Sequence, residues 1–278
     1  MKISEICEQS NKILCGIQGN ILDTRLLLAH FLGKDKLFVM TNPDFEVDNV
    51  DGFFALLDRR AKGEPIAYII GKVEFMSLEF KVNRHTLIPR PDTETLVELA
   101  IEQIGDGNAK FLDIGTGSGC IAVSVAKYCS NARGVAVDIS SEALAMAKHN
   151  AGLHNVDIEF IEMDILTDFP KGEFDIIVSN PPYIEEGVIP QLENNVKDYE
   201  PFGALCGGTD GLDFYKRISG EARYALKAGG MLAFEVGHTQ HEAVAQIMKN
   251  DGYSDIAAVC DLSGIRRVVY GSVAVTRR

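Results

Sequence analysis

Between residues 110 and 250, short apolar runs bounded by turn formers alternate with longer stretches of helical periodicity. That alternation restricts how the chain can fold more than any other feature. Strands are expected at 110–114, 133–138, 157–162, 173–179 and 230–236. Helices are expected near 92–104, 119–129, 141–152, 210–227 and 239–250. Runs such as Phe174–Val178 have no solvent-facing alternation, so both their faces must be covered, as in parallel strands joined by crossover helices. Two last runs, 255–260 and 266–270, leave no room for a helix between them and should pair antiparallel. The expected fold is α/β: a doubly wound, mostly parallel seven-stranded sheet with an antiparallel edge.

Residues 1–71 read differently. Ile21 to Leu32 is an apolar-rich helix with Gly33 as its stop, and Val50, Phe53, Phe54, Leu57 and Ala61 keep helical spacing up to Gly63. No catalytic constellation is present there, so this all-helical segment is expected to be a recognition or lid domain. Residues 72–83 alternate with period two on either side of Met76-Ser77, a β-hairpin. Residues 72–90 are read as a linker and 91–278 as the sheet domain. Pro91, Asp92 and Glu94 suit the first turn of a helix, and Arg90 just before them is a candidate for the site wall.

Composition excludes several classes. The formal net charge is −13, opposite in sign to the basic face that a duplex-binding protein needs. No apolar run of 18 residues exists, so no membrane span is expected. The N-terminus carries early acids and no signal-like apolar core, which makes the cytoplasm the expected location. The six cysteines form no Cys-x-x-Cys and are joined by no histidine cluster, so reduced, mostly buried thiols and no metal site are expected.

The strand ends carry the chemistry. Phe111-Leu-Asp-Ile-Gly-Thr-Gly-Ser-Gly-Cys-Ile121 is strand, glycine turn, helix. Gly115, Gly117 and Gly119, with Thr116 and Ser118 between them, let the backbone approach a ligand closely. The spacing is shorter than the dinucleotide fingerprint. Asp113 before the turn would repel a pyrophosphate but can hold an ammonium group, which favours S-adenosylmethionine over a nicotinamide dinucleotide. Asp138 ends the second strand, where an acid accepts from ribose hydroxyls. Asp164 ends the third, placed to accept from an adenine amino group, with the Ile165 N–H and side chain beside the base.

The fourth strand, Phe174-Asp-Ile-Ile-Val-Ser-Asn-Pro-Pro-Tyr-Ile184, emerges as Asn180, Pro181, Pro182 and Tyr183. Two prolines hold the backbone extended and remove two N–H donors. The Asn180 side chain and the Pro181 carbonyl then offer acceptors, and Tyr183 a flat face: a slot for a planar group bearing an NH2. These residues are the candidate catalytic and substrate-binding set.

Together the glycine turn, Asp138 and the Asn-Pro-Pro-Tyr run resemble a class I S-adenosylmethionine-dependent methyltransferase acting on a planar nitrogen. Glu64-Pro-Ile-Ala-Tyr-Ile-Ile-Gly71, Phe75-Met-Ser-Leu78, Leu87-Ile-Pro-Arg-Pro-Asp-Thr-Glu94 and Arg267-Val-Val-Tyr-Gly271 narrow the resemblance to the peptide chain release factor N5-glutamine methyltransferases, over nearly the whole chain. The resemblance implies that Gly115 to Gly119 form the cofactor turn, that Asp138 is the ribose acid, and that Asn180 to Tyr183 form the substrate motif, with Asn180 also near the cofactor. It implies release factors as partners, with the glutamine of a Gly-Gly-Gln loop as substrate. A monomer is the expected state. Ile165 and Met76 stand where family members carry tryptophan, and this chain has none. The competing readings are a DNA adenine-N6 methyltransferase, which net charge disfavours, a non-catalytic cofactor-binding adaptor, and a nicotinamide dehydrogenase.

Overall fold

The computed structural model describes residues 1–17 and 19–274. Helix starts and stops in the N-terminal region follow local backbone chemistry. Helix α1 (Ile3–Ile13) is followed by α2 (Asn20–Leu32), which Gly33 closes in the left-handed region at φ 61°. Asp35 caps α3 (Lys36–Thr41), accepting from the Phe38 N–H at 2.6 Å. Helices α4 (Asp51–Ala61) and α5 (Ile66–Ile70) complete the set. Their apolar faces meet in one core around Leu27, Leu28, Phe53 and Leu57, all fully buried. Each such side chain contributes about 1.5–3 kcal/mol by leaving water. Arg60 Nε reaches Asp23 Oδ2 at 2.6 Å and ties α4 to α2. Residues Met1–Lys72 form one compact unit together with Glu193–Tyr199.

The second unit holds Val73–Leu192 and the chain from Glu200 onward. Its hairpin, β1 (Lys72–Phe75) and β2 (Leu78–Lys81), turns at Met76 and Ser77, both at positive φ (51° and 56°). That is the type I′ turn whose twist matches the strands. Two bonds pin this otherwise unfavoured turn: Met76 N–H donates to Glu94 Oε1 at 2.6 Å, and Tyr128 O–H donates to the Met76 carbonyl at 2.6 Å. Glu94 therefore does more than complement a helix dipole.

After a turn of 3₁₀ helix at Pro91–Thr93, the chain runs α6 (Glu94–Ile104), β3 (Lys110–Ile114), α7 (Cys120–Tyr128), β4 (Arg133–Asp138), α8 (Ser141–His154), β5 (Ile158–Glu162) and β6 (Phe174–Ser179). Two short helices follow, α9 (Asn194–Lys197) and α10 (Phe202–Leu205). Then come α11 (Asp213–Ala225), β7 (Leu226–Glu235), α12 (His241–Asn250), β8 (Tyr253–Cys260) and β9 (Arg266–Val273). The seven-stranded sheet has the order β5-β4-β3-β6-β7-β9-β8. Its first five strands are parallel; β9 pairs antiparallel to both β7 and β8.

Consecutive strand residues serve opposite faces. Phe111, Ile176, Met231 and Val268 enter one core with α6, α7 and the hairpin. Leu112, Ile177, Leu232 and Val269 enter the other with α11 and α12. Covering on both sides is what the unbroken apolar runs required. The expected helix at 210–227 is shorter, because Leu226 already pairs with Phe174 and starts β7. The terminal strands are longer than expected, with a register shift between Ser254 and Ala257. Of the cysteines only Cys120 and Cys129 are buried; Cys15 and Cys260 are exposed. The expectation of mostly buried thiols fails there, since Cys15 lies in the turn after α1 and Cys260 at the end of an edge strand. No helix among the described residues is long and apolar enough to cross a membrane.

Candidate functional site

Strand order reverses between β3 and β6, and the carboxyl ends of β3, β4, β5 and β6 open into one cavity of about 570 Å³. Such a reversal is where open α/β sheets bind ligands. Gly115 and Gly117 line the cavity at the end of β3, Asp138 at the end of β4, and Asp164 and Ile165 after β5. Asn180, Pro181 and Pro182 line it at the end of β6. The structure thus brings four strand ends that are far apart in sequence to one wall.

The other members of the expected set lie behind that wall. Asp113 is fully buried; its Oδ2 accepts from Thr116 Oγ1 at 2.7 Å and from the Ala122 N–H at 3.2 Å. It holds the glycine turn to the start of α7, and its Oδ1 has no hydrogen-bond partner. Burial pushes its carboxyl up to about 7, with the Thr116 and Ala122 bonds acting against that. Thr116 and Ser118 are buried, and the Ser118 carbonyl accepts from Asn150 Nδ2 at 2.8 Å. Gly119, at φ 80°, faces α8 so closely that a Cβ would stand 3.0 Å from that of Ala147.

Asp138 spans the turn. Its Oδ2 accepts from the Gly117 N–H at 2.8 Å and its Oδ1 from the Ser140 N–H at 2.9 Å. Burial raises its pKa while these amides lower it. Asp164 closes its own turn by accepting from the Leu166 N–H at 2.9 Å. The Ile165 side chain is buried in the core beside α11, and its carbonyl accepts from Arg217 Nε at 3.1 Å.

The Asn-Pro-Pro-Tyr backbone leaves the sheet extended and is caught by a parallel bridge between Ile184 and Cys206. Gly207 lies so close that a Cβ there would stand 2.7 Å from the Pro182 carbonyl oxygen. The Tyr183 carbonyl accepts from Gln240 Nε2 at 3.0 Å. Its ring packs against the α11–α12 core and is not part of the cavity wall. Burial, with the negative charge of Glu235 nearby, pushes the phenol up to about 12. Arg90 is also outside the wall: it pairs with the buried carboxylate of Glu200. Asp92 pairs with Arg267 at 3.0 Å.

Sequence reasoning missed the rest of the enclosure. Arg84 to Leu87 line it, as do Pro201 to Ala204 after the motif, while Ile139, Met163 and Phe214 give it apolar walls. Nothing in their local pattern marks them. Glu235 was also missed, although a charged residue inside Met231-Leu-Ala-Phe-Glu-Val236 is a visible anomaly in an apolar strand. The cavity's acidic side chains, Asp138, Asp164 and Asp213, outnumber its basic ones, Arg84 and His85. That set suits a hydroxyl- and amino-bearing ligand with positive charge and disfavours a polyphosphate.

The chain matches the Methyltransferase small domain over residues 92–195 and the PrmC N-terminal domain over residues 14–71. It is 44% identical over 254 residues to the release factor glutamine methyltransferase of Clostridium acetobutylicum, covering 89% of each chain. It is 40% identical over 260 residues to that of Geobacter sulfurreducens, covering 93% of this chain and 91% of the relative. A solved methyltransferase from Pyrococcus furiosus shares the fold with a TM-score of 0.56 at 20% identity, covering 72% of this chain and 91% of that one.

Proposed function

Because the chain belongs to the release factor glutamine methyltransferase family, we propose that it methylates the side-chain amide nitrogen of the glutamine in the Gly-Gly-Gln motif of peptide chain release factors, using S-adenosyl-L-methionine. One observation carries this reading. Asn180 and Pro181 line the same cavity as Gly115, Gly117 and Asp138, so a planar amide and a nucleoside ligand can be held side by side.

The residues fit that ligand. Asp138 would accept from ribose hydroxyls, Asp164 and the Ile165 backbone would meet the adenine edge, and the glycine turn admits the ligand's backbone-like end. When bound, S-adenosylmethionine supplies an electrophilic methyl group on a sulfonium. A carboxamide nitrogen is a weak nucleophile because its lone pair is shared with the carbonyl. The protein's task is therefore alignment, and stabilisation of the positive charge that grows on the NH2. The Asn180 side-chain oxygen and the Pro181 carbonyl are the acceptors for that NH2. Pro182 keeps the strand extended, and Tyr183 anchors the motif from behind.

In the same proposal residues 1–71 dock the release factor, 91–278 bind the cofactor and catalyse, and 72–90 link while their Arg84 to Leu87 add to the cavity wall. The N-terminal match and that region's own core support the division. The protein acts as a cytoplasmic monomer without nucleic acid. The test is incubation with labelled S-adenosylmethionine and purified release factor, with the modified residue mapped by mass spectrometry. Label on the glutamine side chain is expected. Label on another residue, on DNA only, or nowhere would overturn the reading.

A further inference from the structure

Phe234 pairs with Ser179 in parallel register, so the next residues, Glu235 and Asn180, leave β7 and β6 side by side. Glu235 is 3% exposed, and its Oε2 has no hydrogen-bond partner. Tyr215 O–H donates to its backbone carbonyl at 2.9 Å, which fixes the strand end. Asn180 Nδ2 donates to Thr93 Oγ1 at 3.2 Å, and Thr93 is itself buried. A hydroxyl that accepts from Asn180 still has its own proton to give. The Glu235 carboxyl is the adjoining acceptor, and the polar side chains of Thr93 and Asn180 beside it both favour its ionised form.

We propose that Glu235 is a positioning residue: through Thr93 it sets the rotation of the Asn180 carboxamide, so that Oδ1 rather than Nδ2 is presented to the methyl-accepting NH2. The inference rests on the methyltransferase reading of the cavity. The two faces of a carboxamide are nearly equal in shape and opposite in hydrogen-bonding sense. Only a neighbour of fixed polarity can choose between them. An ionised carboxylate accepts and cannot donate, so Thr93 must point its proton at Glu235 and take one from Asn180 Nδ2. That leaves Asn180 Oδ1 on the cavity side.

Protonation reverses the chain. A neutral Glu235 donates to Thr93, whose proton then turns to Asn180 Oδ1, and the carboxamide rotates to offer Nδ2. Two NH2 groups would then face each other. Burial pushes Glu235 up to about 7, with Asp92 raising it and Arg267 lowering it. Arg267 is itself paired with Asp92 and with Asp261, each at 3.0 Å. Tyr183 and Cys120 face the same charge and stay neutral, their own groups each pushed up to about 12.

The test compares full-length wild type and Glu235→Gln across pH 5.5–9 on intact release factor, with S-adenosylmethionine affinity measured separately. Gln keeps the shape but has no fixed polarity. Its kcat should fall roughly tenfold, a part of the 10²–10³ that outright loss of a preorganised dipole costs. The wild-type rise in kcat with pH through the neutral range should vanish, while cofactor affinity changes less than about twofold. Thr93→Val should reproduce the kcat loss and Thr93→Ser should restore activity, which keeps the test decisive if Glu235→Gln folds poorly. Wild-type kcat with an unchanged pH limb in Glu235→Gln would overturn the inference, as would a reduced kcat that keeps the limb. Failure of wild type to methylate release factor at all would instead remove the reading on which the inference rests.

Discussion

Two carboxylates behind the cavity wall, Asp113 and Glu235, are both raised to about 7 by burial. A folded-state pKa above the unfolded value means that the native protein binds the proton more tightly. The associated stability is then present at low pH and is lost as pH rises from about 4 through about 7. For Asp113 the isosteric change Asp113→Asn removes this dependence, and the amide oxygen can still accept from Thr116 and Ala122. The melting temperature of Asp113→Asn should therefore gain on wild type as pH goes from 5 to 8. A constant difference across that range would show that Asp113 does not titrate there. Asp138 differs, because it lines the cavity. Asp138→Ala should weaken S-adenosylmethionine binding by roughly 1–3 kcal/mol, the cost of buried hydroxyls left unpaired. Calorimetry giving wild-type affinity would remove Asp138 from the site.

At the scale of elements, the parallel strands were legible because each apolar run admits one environment, buried on both faces. Phe111 and Leu112, or Ile176 and Ile177, fill opposite cores as such runs must. Strand ends carrying Gly115, Asp138, Asp164 and Asn180 were legible because polar residues break those runs abruptly. Distinguishing wall from support was not. Asp113, Thr116 and Ser118 share the turn's sequence with Gly115 and Gly117 but point inward, a difference set by the turn's three-dimensional path. The contribution of Pro201–Ala204 depends on where a long loop returns, and no local pattern encodes that. Helix α7 shows how tight the supporting layer is. Gly119→Ala would place a Cβ 3.0 Å from that of Ala147, at a φ of 80°. It should destabilise the protein by about 1–3 kcal/mol, the usual cost of overpacking. Denaturant unfolding with an unchanged midpoint would contradict that packing.

At the scale of the molecule, the helical unit has its own core and, among its described residues, no catalytic constellation, while the sheet unit carries the cavity. Removing residues 1–71 should lower methylation of intact release factor far more than methylation of a short glutamine-containing peptide. Equal loss on both substrates, with the sheet unit folded, would count against a docking role. In the proposed function one cavity serves both the methyl donor and the acceptor amide, with Asn180, which lines it, between them. The most direct measurement is the turnover of Asn180→Ala on intact release factor alongside its S-adenosylmethionine affinity. Turnover should fall roughly 10²–10³-fold, with cofactor affinity changing far less. Wild-type turnover in Asn180→Ala would mean that Asn-Pro-Pro-Tyr is only a rigid turn and that the amide is methylated elsewhere.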